Sequence, residues 1–182
     1  MRVISGKAGG TTLETIPGDD TRPTTDRVKE SLFNMIQFEI KNKKVLDLFS
    51  GSGALGIESA SRGAKEVVLV ENNRACKNVI QENISSSNLT NIKLYMKDSF
   101  DFLDKIRETF DIIFLDPPYF ESLEIKAINK ILEKEILNLN GIIIVEKDKK
   151  DKNKLAFDGL EMIKEKKYGR TVIVIFRRIK WI

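Results

Sequence analysis

From residue 44 onward the chain alternates short, continuous apolar runs with segments of helical periodicity, and this pattern limits the possible folds more than any other feature. Continuous apolar strands separated by helices are typical of a parallel sheet covered on both faces. We therefore predict a doubly wound α/β fold with five parallel strands. The predicted strands cover residues 45–49, 66–70, 92–96, 110–115 and 141–146, and the predicted helices cover 54–62, 74–85, 100–107 and 123–137.

The two ends of the chain differ from this alternating region. Two strand-like runs, residues 160–168 and 171–178, flank Gly169-Arg170 and predict a C-terminal antiparallel hairpin. The sheet is then mostly parallel with seven strands. Three glycines between β-prone pieces near the start predict a small N-terminal β-hairpin extension. We expect residues 1–23 to form this hairpin and an arm, and residues 24–182 to form a single domain.

The absence of histidine, together with a single cysteine, excludes several kinds of chemistry. Ser–His–Asp and Cys–His catalysis both need an imidazole, and zinc sites need several soft ligands. We expect no metal site, and we expect Cys76 to be an inert packed thiol. No apolar run is long enough for a membrane span, and no signal peptide is visible. A lone cysteine suits a reducing compartment, so we expect a soluble cytoplasmic protein.

The charges are distributed unevenly along the chain. Residues 1–44 hold 8 basic and 6 acidic side chains, residues 45–119 hold 8 and 11, and residues 120–182 hold 15 and 10. Basic flanks around an acidic centre suit a polyanionic partner, which makes nucleic acid the expected partner class. The alternative interpretation is a solvated, lysine-rich surface.

Acidic residues follow the predicted strands at one edge of the sheet. Glu71, Asp98 and Asp116 close the second, third and fourth strands, and Asp47 lies inside the first. Ligands of open α/β sheets bind at this edge, beyond the carboxyl ends of the strands. Three mutually repelling carboxylates at one edge favour a functional site. For Asp98, which precedes a predicted helix, capping of that helix is the alternative interpretation.

The loop after the first strand has the spacing G-x-G-x-x-G, from Gly51 through Gly53 to Gly56. Glycines allow a tight turn and a close approach of the backbone to a ligand, and Glu71, twenty residues after Gly51, can accept both hydroxyl protons of a ribose. The pattern predicts an adenosine-containing ligand. On its own it fits a nicotinamide cofactor as well as S-adenosylmethionine.

The segment Asp116-Pro117-Pro118-Tyr119 indicates the reaction. Two prolines fix the path of the chain as it leaves a buried strand. The Asp116 carboxylate and the Pro117 carbonyl can then accept the two N–H groups of an exocyclic base amine and free its lone pair for attack on a sulfonium methyl group. Tyr119 offers a face on which an extruded base can stack.

These motifs resemble those of a known family. Asp116-Pro117-Pro118-Tyr119 matches the D/N-P-P-Y/F motif of class I amino-group methyltransferases, and residues 47–53 resemble their cofactor-binding motif. Residues 22–30, Arg-Pro-Thr-Thr-Asp-Arg-Val-Lys-Glu, are similar to the signature of the RsmD family, the guanine-N2 methyltransferases of bacterial 16S ribosomal RNA. Residues 1–6 and 61–64 are also similar to that family.

The resemblance implies a Rossmann-like class I methyltransferase fold and S-adenosylmethionine as cofactor, with S-adenosylhomocysteine as product and no metal. It also implies methylation of ribosomal RNA within the assembled small subunit, and we expect a monomer. The base would be held by Asp116, Pro117, Pro118 and Tyr119. The implied cofactor-binding residues are Thr24, Thr25, Asp47, Ser50, Gly51, Ser52, Gly53, Glu71, Asn72, Asp98 and Ser99.

Three alternatives remain open on the residues alone. A DNA or RNA adenine-N6 or cytosine-N4 methyltransferase would use the same Pro-Pro motif, although the short chain has no room for a DNA target-recognition domain. An NAD-dependent oxidoreductase would explain the glycine loop and Glu71, but it lacks a histidine as proton donor and leaves Asp116-Pro117-Pro118-Tyr119 unexplained. A non-catalytic RNA-binding protein would have little use for an intact Asp116.

Overall fold

The computed structural model describes residues 1–16, 26–118 and 122–180. These residues contain five helices and seven strands. The helices are α1 (Asp26–Met35), α2 (Ala54–Ser61), α3 (Cys76–Ser87), α4 (Ser99–Lys105) and α5 (Leu123–Glu133). The strands are β1 (Lys44–Asp47), β2 (Glu66–Glu71), β3 (Ile92–Met96), β4 (Phe110–Leu115), β5 (Leu137–Asp148), β6 (Leu160–Tyr168) and β7 (Thr171–Arg178).

The strands form one sheet in the order β3-β2-β1-β4-β5-β7-β6. The pairs from β3 to β5 are all parallel, whereas β7 pairs antiparallel with both β5 and β6. The predicted mostly parallel, seven-stranded sheet with a C-terminal antiparallel hairpin is therefore confirmed. The strand order reverses between β1 and β4, and the ends of β1, β2 and β4 open on the same edge.

The helices cover both faces of the sheet, as a doubly wound fold requires. Helices α1, α2 and α3 pack on one face, for example through Phe33, Leu55 and Ile80, and we call this the α1 face. Helices α4 and α5 pack on the other face through residues such as Leu103 and Ile128. Full burial of such side chains contributes roughly 1.5–3 kcal/mol each. Cys76 is buried on the α1 face, and burial raises the pKa of its thiol to about 11, which agrees with an inert role.

The end of α5 differs from the prediction. We expected a helix over residues 123–137, but α5 ends at Glu133, and Glu135 adopts a left-handed conformation with φ of 52°. Leu137 instead pairs with Phe110 at the start of β5. The apolar residues Ile136 and Leu137 continue the helical periodicity, so only the tertiary pairing with β4 reveals that they belong to a strand.

The N-terminal residues form a small antiparallel turn that is docked on the domain. Arg2 and Thr12 make an isolated antiparallel bridge, and the Val3 N–H donates to the Thr11 carbonyl at 2.9 Å. The predicted hairpin is thus present in a minimal form. Val3, Ala8 and Leu13 are buried against Ala54 and Ile57 of α2. The first helix begins at Asp26.

Candidate active site

The glycine loop follows β1 and is fixed by hydrogen bonds of its own. The Ser50 hydroxyl donates to the carbonyls of Asp47 (2.8 Å) and Val70 (3.0 Å), and the Gly53 N–H donates to the Ser50 carbonyl at 2.7 Å. Gly51 and Gly53 have φ angles of 55° and 81°, a region that glycine adopts without strain. The Ser50 side chain therefore shapes the loop, and the loop presents its backbone at the sheet edge.

Glu71, the last residue of β2, joins this loop to the neighbouring strand. Its carboxylate accepts from the Gly51 N–H and from the Asn73 N–H, each at 2.8 Å. A carboxylate has about four acceptor positions, so two remain for a ligand. Asn72 is the next residue and is exposed. The side chain of Glu71 is thus held in one orientation by backbone donors on both sides.

Asp98 and Ser99 lie at the start of α4. One oxygen of Asp98 accepts from the N–H groups of Phe100 (2.8 Å) and Asp101 (3.0 Å), which is the geometry of a helix N-cap. The capping interpretation of Asp98 is therefore correct for this oxygen, and the second oxygen of the exposed side chain stays available. The Ser99 hydroxyl donates to the Leu48 carbonyl at 2.8 Å and ties α4 to the end of β1.

Asp47 lies beneath the glycine loop and is almost inaccessible, with 1% of its surface exposed. One carboxylate oxygen accepts from the Gly56 N–H at 3.1 Å, and the other is buried without a hydrogen-bond partner. Burial raises the pKa of Asp47 to about 7, and the negative charge of Glu71 adds to the shift. Asp47 therefore fixes the start of α2 from below and does not line the open cleft in this structure.

Asp116 follows β4 directly and lies on the α1 face. The register pairs Asp47 with Phe114 and Phe114 with Ile144, so Asp47, Asp116 and Glu146 share this face at its carboxyl edge. Asp116 is half-buried, and within residues 1–16, 26–118 and 122–180 no group donates a hydrogen bond to its carboxylate. Burial raises the pKa of Asp116 well above its usual value, and the charges of Glu146 and Asp47 raise it further.

The prolines after Asp116 differ in their exposure. Pro117 is buried and Pro118 is exposed, so the chain turns outward at this point. Three residues of the predicted site, Thr24, Thr25 and Tyr119, lie outside the described residues.

Glu146 is an acidic residue that the sequence reasoning did not place in the site. It is 6% exposed and lies in β5 directly after an apolar run, level with Asp116 because Val145 pairs with Leu115. The sequence therefore contains a signal for Glu146, because this residue also follows an apolar run, as Glu71 and Asp116 do.

Asn83 of α3 was also missed, and it connects the N-terminal hairpin to the glycine loop. Its side-chain oxygen accepts from the Glu14 N–H at 2.7 Å, and its amide nitrogen donates to the carbonyls of Glu14 (3.0 Å) and Ser52 (2.9 Å). The residue is 1% exposed. A polar residue within a helix gives no sequence signal for such a role, since the partners come from two distant segments.

A second buried group, Glu58 of α2, holds the other end of the hairpin. Its carboxylate accepts from the N–H groups of Ile4 (2.7 Å) and Ser5 (3.1 Å). It also pairs with Lys29 at 3.4 Å and with Arg62 at 2.7 Å. Lys29 is fully buried, and burial lowers the pKa of its amine, although Glu58 opposes this shift. The hairpin is therefore held against α1 and α2 by a network of charged hydrogen bonds.

Two further properties of the described residues bear on function. No group of three or more cysteine, aspartate or glutamate side chains in the described part of the chain is arranged to hold a metal ion. None of the helices α1 to α5 has the length and apolar character needed to cross a membrane.

Comparison with known proteins adds the family context. Residues 1–177 match the model of the family described as conserved hypothetical protein 95. The chain is 38% identical over 183 residues to the putative rRNA methyltransferase YlbH of Bacillus subtilis, covering 98% of this chain and 99% of that protein. It is 35% identical over 173 residues to ribosomal RNA small subunit methyltransferase D of Haemophilus influenzae, covering 93% and 89%.

A solved structure agrees with the fold over the same length. The putative methyltransferase yhhF from Escherichia coli superimposes with a TM-score of 0.88 at 31% identity, and the match covers 98% of each chain. The sheet, its helices and the N-terminal extension therefore have a counterpart in a solved methyltransferase-like structure.

Proposed function

The chain belongs to the RsmD family, described as conserved hypothetical protein 95, and on that premise we propose that it methylates the exocyclic N2 amino group of a guanine in small-subunit ribosomal RNA. The relatives from Bacillus subtilis and Haemophilus influenzae are named for methylation of ribosomal RNA, which supports this substrate class. The observation that carries the proposal is the Asp116 carboxylate, which follows β4 at the carboxyl edge of the sheet, next to the strand that leads into the glycine loop, and which accepts no hydrogen bond from the described part of the chain.

The residues around the glycine loop fit S-adenosylmethionine. Glu71 retains two acceptor positions for ribose hydroxyls, and a Cβ added to Gly51 would meet nothing within 4 Å, so the loop borders open space. The free oxygen of Asp98 is available to the adenine amino group. When bound, this cofactor supplies an electrophilic methyl group carried by a sulfonium. Thr24, Thr25, Asn72, Ser52 and Ser99 complete the proposed binding set.

The residues after β4 would act on the amine. An exocyclic amine of a base is a poor nucleophile because its lone pair is delocalised into the ring. The Asp116 carboxylate and the Pro117 carbonyl would each accept one N–H, which localises the lone pair toward the methyl group. The prolines fix this pair of acceptors without a hinge. Tyr119 would stack on the extruded base, which contributes roughly 1–3 kcal/mol.

The raised pKa of Asp116 suits a proton acceptor. As the new N–C bond forms, the nitrogen must lose one proton, and a carboxylate that is desolvated and faces Glu146 and Asp47 holds a proton more firmly than an exposed one. Asp116 would therefore orient the amine in its ionised form and then accept the released proton. The proton would pass to solvent after the product leaves.

The domain organisation, location and substrate particle of the protein complete the proposal. We place the catalytic domain at residues 24–182 and an N-terminal hairpin and arm at residues 1–23. Asn83 and Glu58 bind the hairpin through Glu14 and Ile4. We propose that the enzyme works as a cytoplasmic monomer on ribosomal RNA already assembled with small-subunit proteins. Recognition of a guanine in such a particle needs surface contacts beyond the pocket.

Direct transfer of labelled methyl groups tests the proposal. Purified protein is incubated with tritiated S-adenosylmethionine and with unmethylated small ribosomal subunits, protein-free 16S ribosomal RNA or duplex DNA, and the product is digested to nucleosides. We expect label in N2-methylguanosine, with the assembled subunit as the best substrate. Label in N6-methyladenosine or N4-methylcytidine would show that the target is adenine or cytosine and not guanine. Transfer to none of these substrates would contradict the proposed function.

A further inference from the structure

A loop rich in lysine follows β5 at the same edge of the sheet as Asp116. Residues 149–154 read Lys-Lys-Asp-Lys-Asn-Lys, and we call this segment the lysine loop. All four of its lysines are exposed, and none of them forms an ion pair within the residues that the structure describes. The segment therefore presents four unneutralised positive charges to solvent.

The acidic residues of this region are turned inward and shape the loop. Asp148 is 2% exposed, and its carboxylate accepts from the Lys150 N–H at 2.7 Å and pairs with Arg170 at 3.0 Å. Asp151 accepts from the Asn153 N–H at 2.9 Å and pairs with Lys147 at 3.4 Å. The carboxylates of Asp148 and Asp151 thus bind groups of the loop and its neighbours, and the exposed charges of the loop are positive.

The loop is attached to the start of α5, the helix that follows β4 in the chain. The Asn153 amide donates to the Ser122 hydroxyl at 2.9 Å, and Ser122 directly precedes α5, only four residues after Pro118. Lys152 and Lys154 flank Asn153 on both sides. These two lysines therefore flank the residue that contacts Ser122 at the start of α5.

The turn between β6 and β7 extends the same positive surface. The Lys149 N–H donates to the Arg170 carbonyl at 2.7 Å, so the lysine loop and this turn are in contact. Lys164 and Lys166 are exposed on β6, the edge strand, and the Lys166 amine lies 5.4 Å from the centre of the Tyr168 ring. Glu161 and Glu165 are also exposed on β6, and Glu165 pairs with Lys167 at 3.3 Å, so the positive surface reaches from the loop to the turn and is mixed with acidic side chains along the rest of β6.

From this arrangement we propose that the lysine loop, together with the β6–β7 turn, binds the phosphate backbone of the RNA next to the target nucleotide. The inference rests on the proposed function, because it assumes an RNA substrate. A nucleotide that is extruded into the Asp116 site would leave its neighbouring phosphates at the carboxyl edge of the sheet, and the lysine loop follows β5 at this same edge. Lysine is well suited to this task, since it contacts phosphates as a point charge without reading sequence.

Charge removal tests the surface without touching the catalytic residues. In the double variant Lys152→Gln, Lys154→Gln, two phosphate contacts disappear, so the Kd for unmethylated small subunits should rise roughly ten- to thirtyfold at about 0.1 M salt. The slope of log Kd against log salt should fall by about 1.4–1.8. Binding of S-adenosylmethionine, measured by calorimetry, should stay unchanged, as should kcat at saturating subunit concentration.

Two matched variants complete the test. Lys41→Gln, Lys65→Gln removes the same charge from exposed lysines at the opposite edge of the sheet and should change the Kd less than twofold. Lys152→Arg, Lys154→Arg keeps the charge and should retain wild-type affinity. An unchanged Kd and salt slope in the Gln variant would overturn the inference, and so would an equal loss in the Lys41, Lys65 control. Methyl transfer by the wild-type protein, measured in the same assay, reports separately on the proposed function.

Discussion

The carboxylate of Glu71 and the backbone N–H of Gly51 are joined by a hydrogen bond of 2.8 Å that links the end of β2 to the loop after β1. The neighbouring strands β1 and β2 are thus connected next to the point where the strand order reverses, which lies between β1 and β4. The bond aligns the glycine loop with an acidic side chain, so the residue that would bind the ribose also holds the loop that borders it.

Replacing Glu71 by Gln should weaken cofactor binding. The variant loses the negative charge, and its amide can accept from only one of the two N–H groups that Glu71 now holds. Hydrogen bonds to charged groups contribute about 1.5–3 kcal/mol, so the Kd for S-adenosylmethionine should rise roughly ten- to hundredfold in calorimetry. Glu66→Gln, at the other end of the same strand, is the control and should leave the Kd unchanged. A normal Kd in Glu71→Gln would remove Glu71 from the cofactor site.

The rate of methyl transfer should fall as the pH is lowered through the pKa of Asp116. In the proposed mechanism the ionised carboxylate is the active form. Burial together with Glu146 and Asp47 raises this pKa, so the loss should begin at a higher pH than for an ordinary aspartate. Glu146→Gln removes one of the opposing charges and should shift the acidic limb of the pH–rate profile to lower pH. Glu82→Gln, an exposed change on α3, should not shift the limb. A shift of the Glu146→Gln limb to higher pH would contradict this account.

Asp47 should make the free protein less stable as the pH rises. Its pKa is about 7 in the folded state and 3.8 in the reference state, so the folded protein binds the proton more tightly between these values. The associated stability is present below pH 3.8 and is lost as the pH rises toward 7, by about 4 kcal/mol at most. Asp47→Asn does not titrate. The difference in free energy of unfolding between variant and wild type, measured by urea titration, should therefore increase from pH 4 to pH 8.

A constant difference between the two proteins across this pH range would mean that Asp47 ionises normally. Asp158→Asn, at an exposed aspartate, is the control and should show no such trend.

Much of the fold and part of the site follow from the sequence, for a physical reason. Parallel strands buried on both faces are continuously apolar, so the end of each apolar run in the sequence marks the end of a strand. The acidic residues that follow such runs must then lie at the carboxyl edge of the sheet. This predicted the positions of Glu71 and Asp116. The boundary between α5 and β5 did not follow, because Ile136 and Leu137 fit either periodicity and only their pairing with β4 decides.

Buried polar contacts between distant segments could not be predicted in the same way. In the sequence Asn83 and Glu58 are ordinary polar residues within helices, and several of their partners are backbone groups of the N-terminal hairpin. A backbone donor has no sequence signature. The role of each residue therefore becomes visible only when the hairpin is seen docked against α2 and α3.

Asn83→Ala should loosen the hairpin and disturb the glycine loop together. The change leaves the half-buried Glu14 N–H and the Ser52 carbonyl without their partner, which costs about 1–3 kcal/mol of stability. Hydrogen exchange of residues 1–16 should become faster, and the Kd for S-adenosylmethionine should rise. Asn91→Ala, which removes a single bond to the Ala64 carbonyl, should lower stability without changing the Kd. Equal effects of the two variants on the Kd would contradict a link between hairpin and loop.

The central claim is that Asp116 acts on the target amine and not on the cofactor. Its most direct test is a paired measurement on Asp116→Ala: calorimetry with S-adenosylmethionine, and transfer of labelled methyl groups to unmethylated small subunits. We expect a Kd within about threefold of wild type together with a loss of transfer of at least about a hundredfold, the scale that one positioned proton acceptor contributes. Loss of cofactor binding, or transfer at the wild-type rate, would contradict the role assigned to this carboxylate.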